Sequence, residues 1–158
     1  MALLNESIKK MWEAYLKSID ESVKETQKIY DAWHFCNDEK NANALADLVK
    51  KRIKQATTSL FYLYELEEEP LPEKGQYSII LDWNGTSQCI IRSTSIEVLP
   101  FNEVTETFAK EEGEGDQSLE YWKKVHKVAF ENELMSVEKD FSEDMLVVCE
   151  KFQVVYPK

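Results

Sequence analysis

Two strand-forming runs, QYSIILDW (residues 76–83) and SQCIIRSTSIEVLPF (residues 87–101), flank the dipeptide Asn84-Gly85. Both turn residues tolerate the positive φ of a type I′ turn, and the runs beside them are rich in β-branched and aromatic side chains. This hairpin limits the fold more than any other feature. It commits the centre of the chain to antiparallel pairing and requires other elements to cover the apolar face it creates.

The covering elements are legible as periodic stretches. Leu4, Ile8, Met11, Trp12, Tyr15, Leu16 and Ile19 recur at helical spacing on one face, with Asn5 as the expected N-cap. A weaker helical pattern runs from Asp20 toward Tyr30, with Val23, Thr26 and Tyr30 inward. YDAWHFCND (30–38) breaks the periodicity, and Asn37-Asp38 marks a turn or N-cap. From Glu39 a helix places Ala44, Leu45, Leu48, Val49 and Ile53 on one side and ends near Lys54. TTSLFYLYEL (57–66) predicts a strand, and EEEPLPEKGQ (67–76) a charged, proline-containing loop. After Pro100 a short helix presents Phe101, Val104 and Phe108. EEGEGDQS (111–118) follows, then a longer helix from Ser118 to Glu133 that buries Leu119, Trp122, Val125 and Ala129. MLVVCEKFQVVY (145–156) supplies the last strand. No repeat or linker divides the chain. The expectation is one α+β domain over residues 1–158, helices around a strongly bent antiparallel sheet or small barrel, with residues 1–30 as a helical extension packed on it.

Charge bounds the partners. The 158 residues carry 30 acidic and 19 basic side chains, a net charge of −11, and Arg52 and Arg92 are the two arginines. A grip on a long phosphate backbone uses a basic, often arginine-rich face, so extended DNA binding is not expected; a local pocket for a nucleoside or short RNA is compatible with this charge. No apolar run approaches the roughly 20 residues needed to cross a bilayer. MALLNESIKKMW is not a secretory signal, and three separated cysteines (Cys36, Cys89, Cys149) fit reduced thiols in a cytoplasmic protein. With two histidines and no CxxC, neither a metal site nor a cofactor is expected.

KRIKQATTSL (51–60) holds the first chemical candidates. Lys54 and Thr57 stand where helix gives way to strand. A partly desolvated lysine there can lose its proton near neutral pH and act as a general base toward the threonine hydroxyl. The same spacing also fits a solvated helix-end cation followed by an ordinary strand residue. In EEGEGD (111–116) two glycines let the backbone bend and bring Glu112 or Glu114 to a pocket edge as an acid or orienting group, or the stretch is a solvated loop capping the next helix through Asp116 or Ser118. Trp33, His34 and Phe35 offer either base-stacking surfaces or core plugs. Arg92, mid-strand, faces either a carboxylate or ligand, or solvent.

Three stretches together, YDAWHFCND, LADLVKKRIKQATTSLFYLYELEEEPLPEKGQYSIILDWNG and VLPFNEVTETFAKEEGEGDQSLEYWKKVH, resemble the ASCH domain family, and in particular its bacterial branch once grouped as a domain of unknown function. The resemblance covers about Tyr30 to Phe130. It implies a PUA-like fold, a small barrel with helices around it, and a hallmark G-x-K-x-x-T-x-R at a helix–strand junction. Lys54 and Thr57 match that hallmark, while Arg52 replaces its glycine and Ser59 its final arginine, removing a cation that would hold a phosphate. The family is proposed to bind RNA, and some small members remove the acetyl group of 4-acetylcytidine with a lysine, a threonine and a glutamate. The resemblance thus implies Lys54, Thr57 and Glu112 as catalytic residues, with Glu114 as the alternative glutamate. Trp33, Phe35, Ser59, Arg92 and Glu114 are the expected ligand contacts. A ribonuclease activity occurs in the wider family, so the reaction is not set by the fold.

Overall fold

In the computed structural model, which describes residues 2–158 with side chains from residue 6 onward, the elements are α1 (Ala2–Ser18), β1 (Tyr30–Trp33), α2 (Glu39–Lys50), β2 (Ala56–Leu60), α3 (Phe61–Glu67), β3 (Tyr77–Leu81), β4 (Ser87–Pro100), α4 (Glu106–Glu112), α5 (Leu119–Met135) and β5 (Leu146–Tyr156), with a 3₁₀ turn at Phe101–Glu103. The five strands form one open sheet in the order β1-β3-β4-β5-β2. The fold is α+β. Its pairing is mixed: β3–β4 and β2–β5 are antiparallel, but β1 runs parallel to β3, so the wholly antiparallel sheet expected from the hairpin is refined.

The expected hairpin forms, with Ile79 opposite Ile90 and Ile80 opposite Cys89, but its turn differs from expectation. Gly85 takes a φ of +84° while Asn84 is not among the positive-φ residues. The connection is a longer turn in which the Asp82 carboxylate accepts from the Thr86 N–H at 2.9 Å and the Gly85 N–H donates to Asp82 O at 3.0 Å. A side chain that bonds the backbone of its own loop displaces the two-residue turn.

The chain divides into two compact units. The first comprises residues 1–53, 74–94 and 152–158. Within it α1 lays Trp12, Tyr15 and Leu16 on Tyr77, Ile79, Leu81 and Ile90, while Phe35, Ala46, Val49, Ile80, Cys89, Ile91 and Phe152 form a second cluster. Helix α1 already runs at Asn5, so that residue is not its cap. The weak helical pattern after Asp20 does not form a helix. Asp20 turns with a φ of +59°, Glu21 gathers Thr26 and Lys28 in a polar knot, and Val23 and Ile29 stay exposed, leaving no apolar face to bury. Asp38 caps α2 by accepting from Asn41 N at 2.9 Å.

The second unit comprises residues 54–73 and 95–151. Its core holds Ala56, Leu60, Phe101, Val104, Phe108, Trp122, Phe130, Leu134 and Val147. The strand expected over 57–66 stops at Leu60, which pairs with Val147, one residue from the start of β5. Beyond that point the ladder runs out of partner, and FYLYELE turns helical with Tyr62 and Leu63 packed against the core. On α5 the inward stripe is Trp122, Phe130 and Leu134, and Ala129 is exposed rather than buried.

Candidate functional site

Helix α2 stops at Lys50, four residues before the expected end, and Lys51 caps it. Arg52 then takes a φ of +63°. This is the left-handed region that a glycine occupies without steric cost, which accounts for glycine at this point of the hallmark. Here the guanidinium offsets the cost by donating to Pro157 O at 2.8 Å. The backbone then extends into β2, and the Gln55 N–H donates to Glu111 O at 2.7 Å, tying the start of the strand to the last turn of α4.

That tie sets Lys54 against the end of α4. Gly113, at φ +72°, is the left-handed cap that ends the helix, so Glu112 is its last residue and points inward. Gly115 holds a φ of +58°, and a Cβ on it would lie 2.3 Å from the Tyr121 ring, so a side chain here would be strained and would have to displace that ring. Asp116 accepts from the Ser118 N–H at 2.9 Å, and Ser118 in turn caps α5. EEGEGDQS is therefore an ordered connection that aims two carboxylates, not a loose solvated one.

The result is a buried ionic cluster. Lys54 and Glu112 are both 1% exposed. Lys54 Nζ donates to Glu114 Oε2 at 2.9 Å and lies 3.6 Å from Glu112 Oε2. His126 Nε2 lies 3.0 Å from the same Oε2. The other oxygen, Oε1, accepts a hydrogen bond from Thr58 Oγ1. Burial is the largest influence on Lys54 and opposes its charge, but Glu112 and Glu114 together outweigh it and raise its pKa. The same contest holds at Glu112, where Lys54 and then His126 overcome burial and hold the carboxyl well below the usual range. Glu114 goes the other way: burial and the neighbouring Glu112 charge raise it against the pull of Lys54. Two adjacent carboxyls are thus driven apart, one a firm carboxylate and the other the readier proton carrier.

Of the expected site residues, Lys54, Glu112 and Glu114 come together. Of the two states left open for Lys54, the carboxylates that face it favour the charged one, against the neutral lysine that a general-base role needs. Thr57 and Thr58 point to opposite faces of β2. Thr58 shares its face with the core residues Ala56 and Leu60 and reaches Glu112, whereas Thr57 shares its face with Ser59, which bonds Tyr64 at 2.9 Å. Trp33 and Phe35 belong to the first unit, paired edge to face at 4.8 Å; Phe35 is core packing in its second cluster, and Trp33 lies half-buried against it. Arg92, also in that unit, is exposed and lies 5.7 Å from the Tyr77 ring centroid. Sequence reading missed Thr58 and His126. His126 sits four residues from both Trp122 and Phe130, so its place on the core-facing stripe of α5 was the available signal.

Glu112, Glu114 and His126 offer ligand atoms within 4.8 Å of one another. The Lys54 ammonium already lies among them, so the set is a self-compensating ion cluster rather than a cation-binding shell. No helix among the described residues is long and apolar enough to cross a membrane.

Comparison with known proteins agrees with the architecture. The ASCH domain model matches residues 31–156. An ASCH domain from Lactobacillus crispatus JV V101 is 40% identical with a TM-score of 0.89, covering 96% of this chain and 95% of that one. Protein EF3133 from Enterococcus faecalis V583, described as a DUF984 protein, is 36% identical with a TM-score of 0.83, covering 94% and 88%. Comparison with curated proteins found no match. A matching family model over most of the length, together with two similar structures, establishes that this chain belongs to the ASCH domain family.

Proposed function

We propose that the Lys54–Glu112–Glu114 cluster serves a neutral nucleoside, or a short RNA-derived ligand carrying one, and hydrolyses an exocyclic amide such as that of 4-acetylcytidine. The observation that carries this reading is the contact of a hydroxyl, Thr58 Oγ1, with a buried carboxylate whose ionised form is enforced by two cations. A hydroxyl that donates to a carboxylate held ionised is oriented as a nucleophile with its proton acceptor already in contact. Charge supports a small neutral ligand. Lys54 and His126 balance Glu112 and Glu114, leaving no surplus cation for a phosphate, and the chain as a whole is −11.

In this mechanism Glu112 takes the Thr58 proton as the hydroxyl oxygen attacks the amide carbonyl. That proton passes from Glu112 to Glu114, which delivers it to the departing amine as the C–N bond breaks; water then attacks the acyl ester, and one of its protons returns to the Thr58 oxygen as the free acid leaves. Glu114, whose side chain is 19% exposed, is the more accessible of the two carboxyls, and its raised pKa suits it to carry that proton. Lys54 is the fixed positive charge that holds both carboxyls in place and offsets the developing oxyanion. Incubation with 4-acetylcytidine, followed as cytidine release, tests the proposal. No turnover at high protein concentration overturns the hydrolase, and tight, salt-sensitive binding of an RNA oligonucleotide replaces it with a non-catalytic RNA-recognition module. Thr58→Ala is expected to abolish turnover and Thr57→Ala to leave most of it. The reverse result returns the nucleophile's role to Thr57.

A further inference from the structure

His126 is the one polar member of an otherwise apolar stripe on α5, between Trp122 (3% exposed) and Phe130 (2% exposed). Its ring is fixed from both sides: the Trp122 indole stacks on it with centroids 4.3 Å and planes 20° apart, and Phe130 meets it edge-on at 5.7 Å. Nδ1 lies 2.9 Å from Trp122 O. A carbonyl oxygen only accepts, so Nδ1 carries a hydrogen. Nε2 then faces Glu112 Oε2 at 3.0 Å. A neutral ring protonated at Nδ1 would set the Nε2 lone pair against a carboxylate oxygen. Only the imidazolium carries a proton at each nitrogen and so meets that oxygen as a cation, in an ion pair that leaves Oε2 without an aligned hydrogen bond.

We infer that His126 is a positioning residue for Glu112: clamped by Trp122 and Phe130, it holds Oε2 through an ion pair from its Nε2 edge, so that Oε1 stays turned to Thr58. This rests on the reading of Glu112 as the base in the proposed reaction. Pinning matters because Lys54 has two carboxylates to choose from. At 2.9 Å from Glu114 and 3.6 Å from Glu112 it leans to the former, and His126 supplies the contact that keeps Glu112 from swinging toward the ammonium. The charged groups around the imidazole are Glu112 from α4, Glu114 from the loop after it, Glu133 from α5 itself and, across the shared Glu112 Oε2, Lys54 just before β2. Burial opposes its charge most strongly, but Glu112 and then Glu114 outweigh it and raise its pKa.

Ring-nitrogen NMR of the ¹⁵N-labelled full chain tests this, with His34→Gln leaving His126 as the one remaining histidine. At pH 7.5 both His126 nitrogens are expected at protonated shifts, and Glu112→Gln is expected to return the ring to the neutral Nδ1–H form. A neutral ring in the wild-type cluster overturns the inference. In His126→Phe, which keeps the stacking shape, the Glu112 carboxyl ¹³C signal is expected to titrate at higher pH, and an unchanged titration also overturns it. If that variant does not fold, His126→Gln carries the same measurement. With 4-acetylcytidine, kcat is expected to fall at least tenfold in His126→Phe with KM within twofold, and the alkaline limb of the wild-type pH profile is expected to vanish. Absence of any turnover in the wild type refutes the proposed hydrolase while the two NMR titrations still decide the role of His126.

Discussion

The two units bury polar groups of opposite kinds. In the first, the buried polar residues are Ser78 and Ser93, and the core is assembled from aromatic and branched apolar side chains such as Trp12, Tyr77 and Ile79. In the second, the buried polar residues are Lys54 and Glu112, full charges at 1% exposure beside Thr58 and His126. A buried hydroxyl costs little once hydrogen-bonded, whereas a buried ion costs several kcal/mol that only a well-placed counter-ion returns. The first unit spends its interior on packing. The second carries an electrostatic arrangement that packing alone does not require, and this is why it is the candidate for chemistry.

The sharpest way to break that contrast is to remove one ion. Glu112→Ala leaves Lys54 and His126 buried without their shared carboxylate and is expected to cost about 3–5 kcal/mol of stability, together with all turnover. Chemical denaturation measures the first, and a loss below about 1 kcal/mol denies that the cluster is buried and coupled. In the first unit, Ile79→Ala removes a fully buried side chain and is expected to cost about 2–5 kcal/mol by cavity formation, with turnover per folded molecule unchanged. An equal loss of turnover would erase the division between packing and chemistry.

Acidity sharpens the comparison further. His126 has a folded pKa raised above 6.5, so the stability it contributes is complete below 6.5 and is lost as pH rises through the folded value. Glu112 has a folded pKa lowered from 4.5, so its contribution is present above 4.5 and is lost as pH falls toward the folded value. Denaturation midpoints measured across this range are expected to fall at both ends, and His126→Gln is expected to flatten the alkaline end alone. The two buried thiols give no such response near neutrality, because burial pushes Cys89 up to about 11 and Cys149 up to about 12. The smallest effect belongs to the exposed Lys51–Asp47 pair at 2.7 Å: Lys51→Ala is expected to change stability by no more than about 0.5 kcal/mol.

Legibility followed the range of the interactions. The pairing of β3 with β4 and the capped helices α2 and α5 depend on neighbours a few residues away and were readable; the short helix after Pro100 was readable in part, since Phe101 lies in a 3₁₀ turn and Val104 in extended backbone before α4 begins at Glu106. Where long-range contact decides, reading failed in particular ways. The run 57–66 looked like one strand because its residues favour strands, but β5 offers partners only as far as Leu60. Lys54 and a glutamate of EEGEG were identifiable as a pair through the hallmark and the glycines. The choice between Glu112 and Glu114 was not, and neither was the lysine's charge, since both depend on groups about 60 residues away in sequence.

The sequence by itself determined the β3–β4 pairing, the helices α2 and α5 with their caps, the excess of acidic side chains, and the family motif that marks Lys54 as a residue of interest. Hydrophobic periodicity, turn chemistry and charge act over a few residues, and that is where such information lies. Only the tertiary structure decided which threonine meets the carboxylate, that Lys54 is an ammonium, and that His126 completes the cluster. A strand's pleat sends adjacent side chains to opposite faces, and a buried group's charge is set by whatever the fold places within a few ångströms of it.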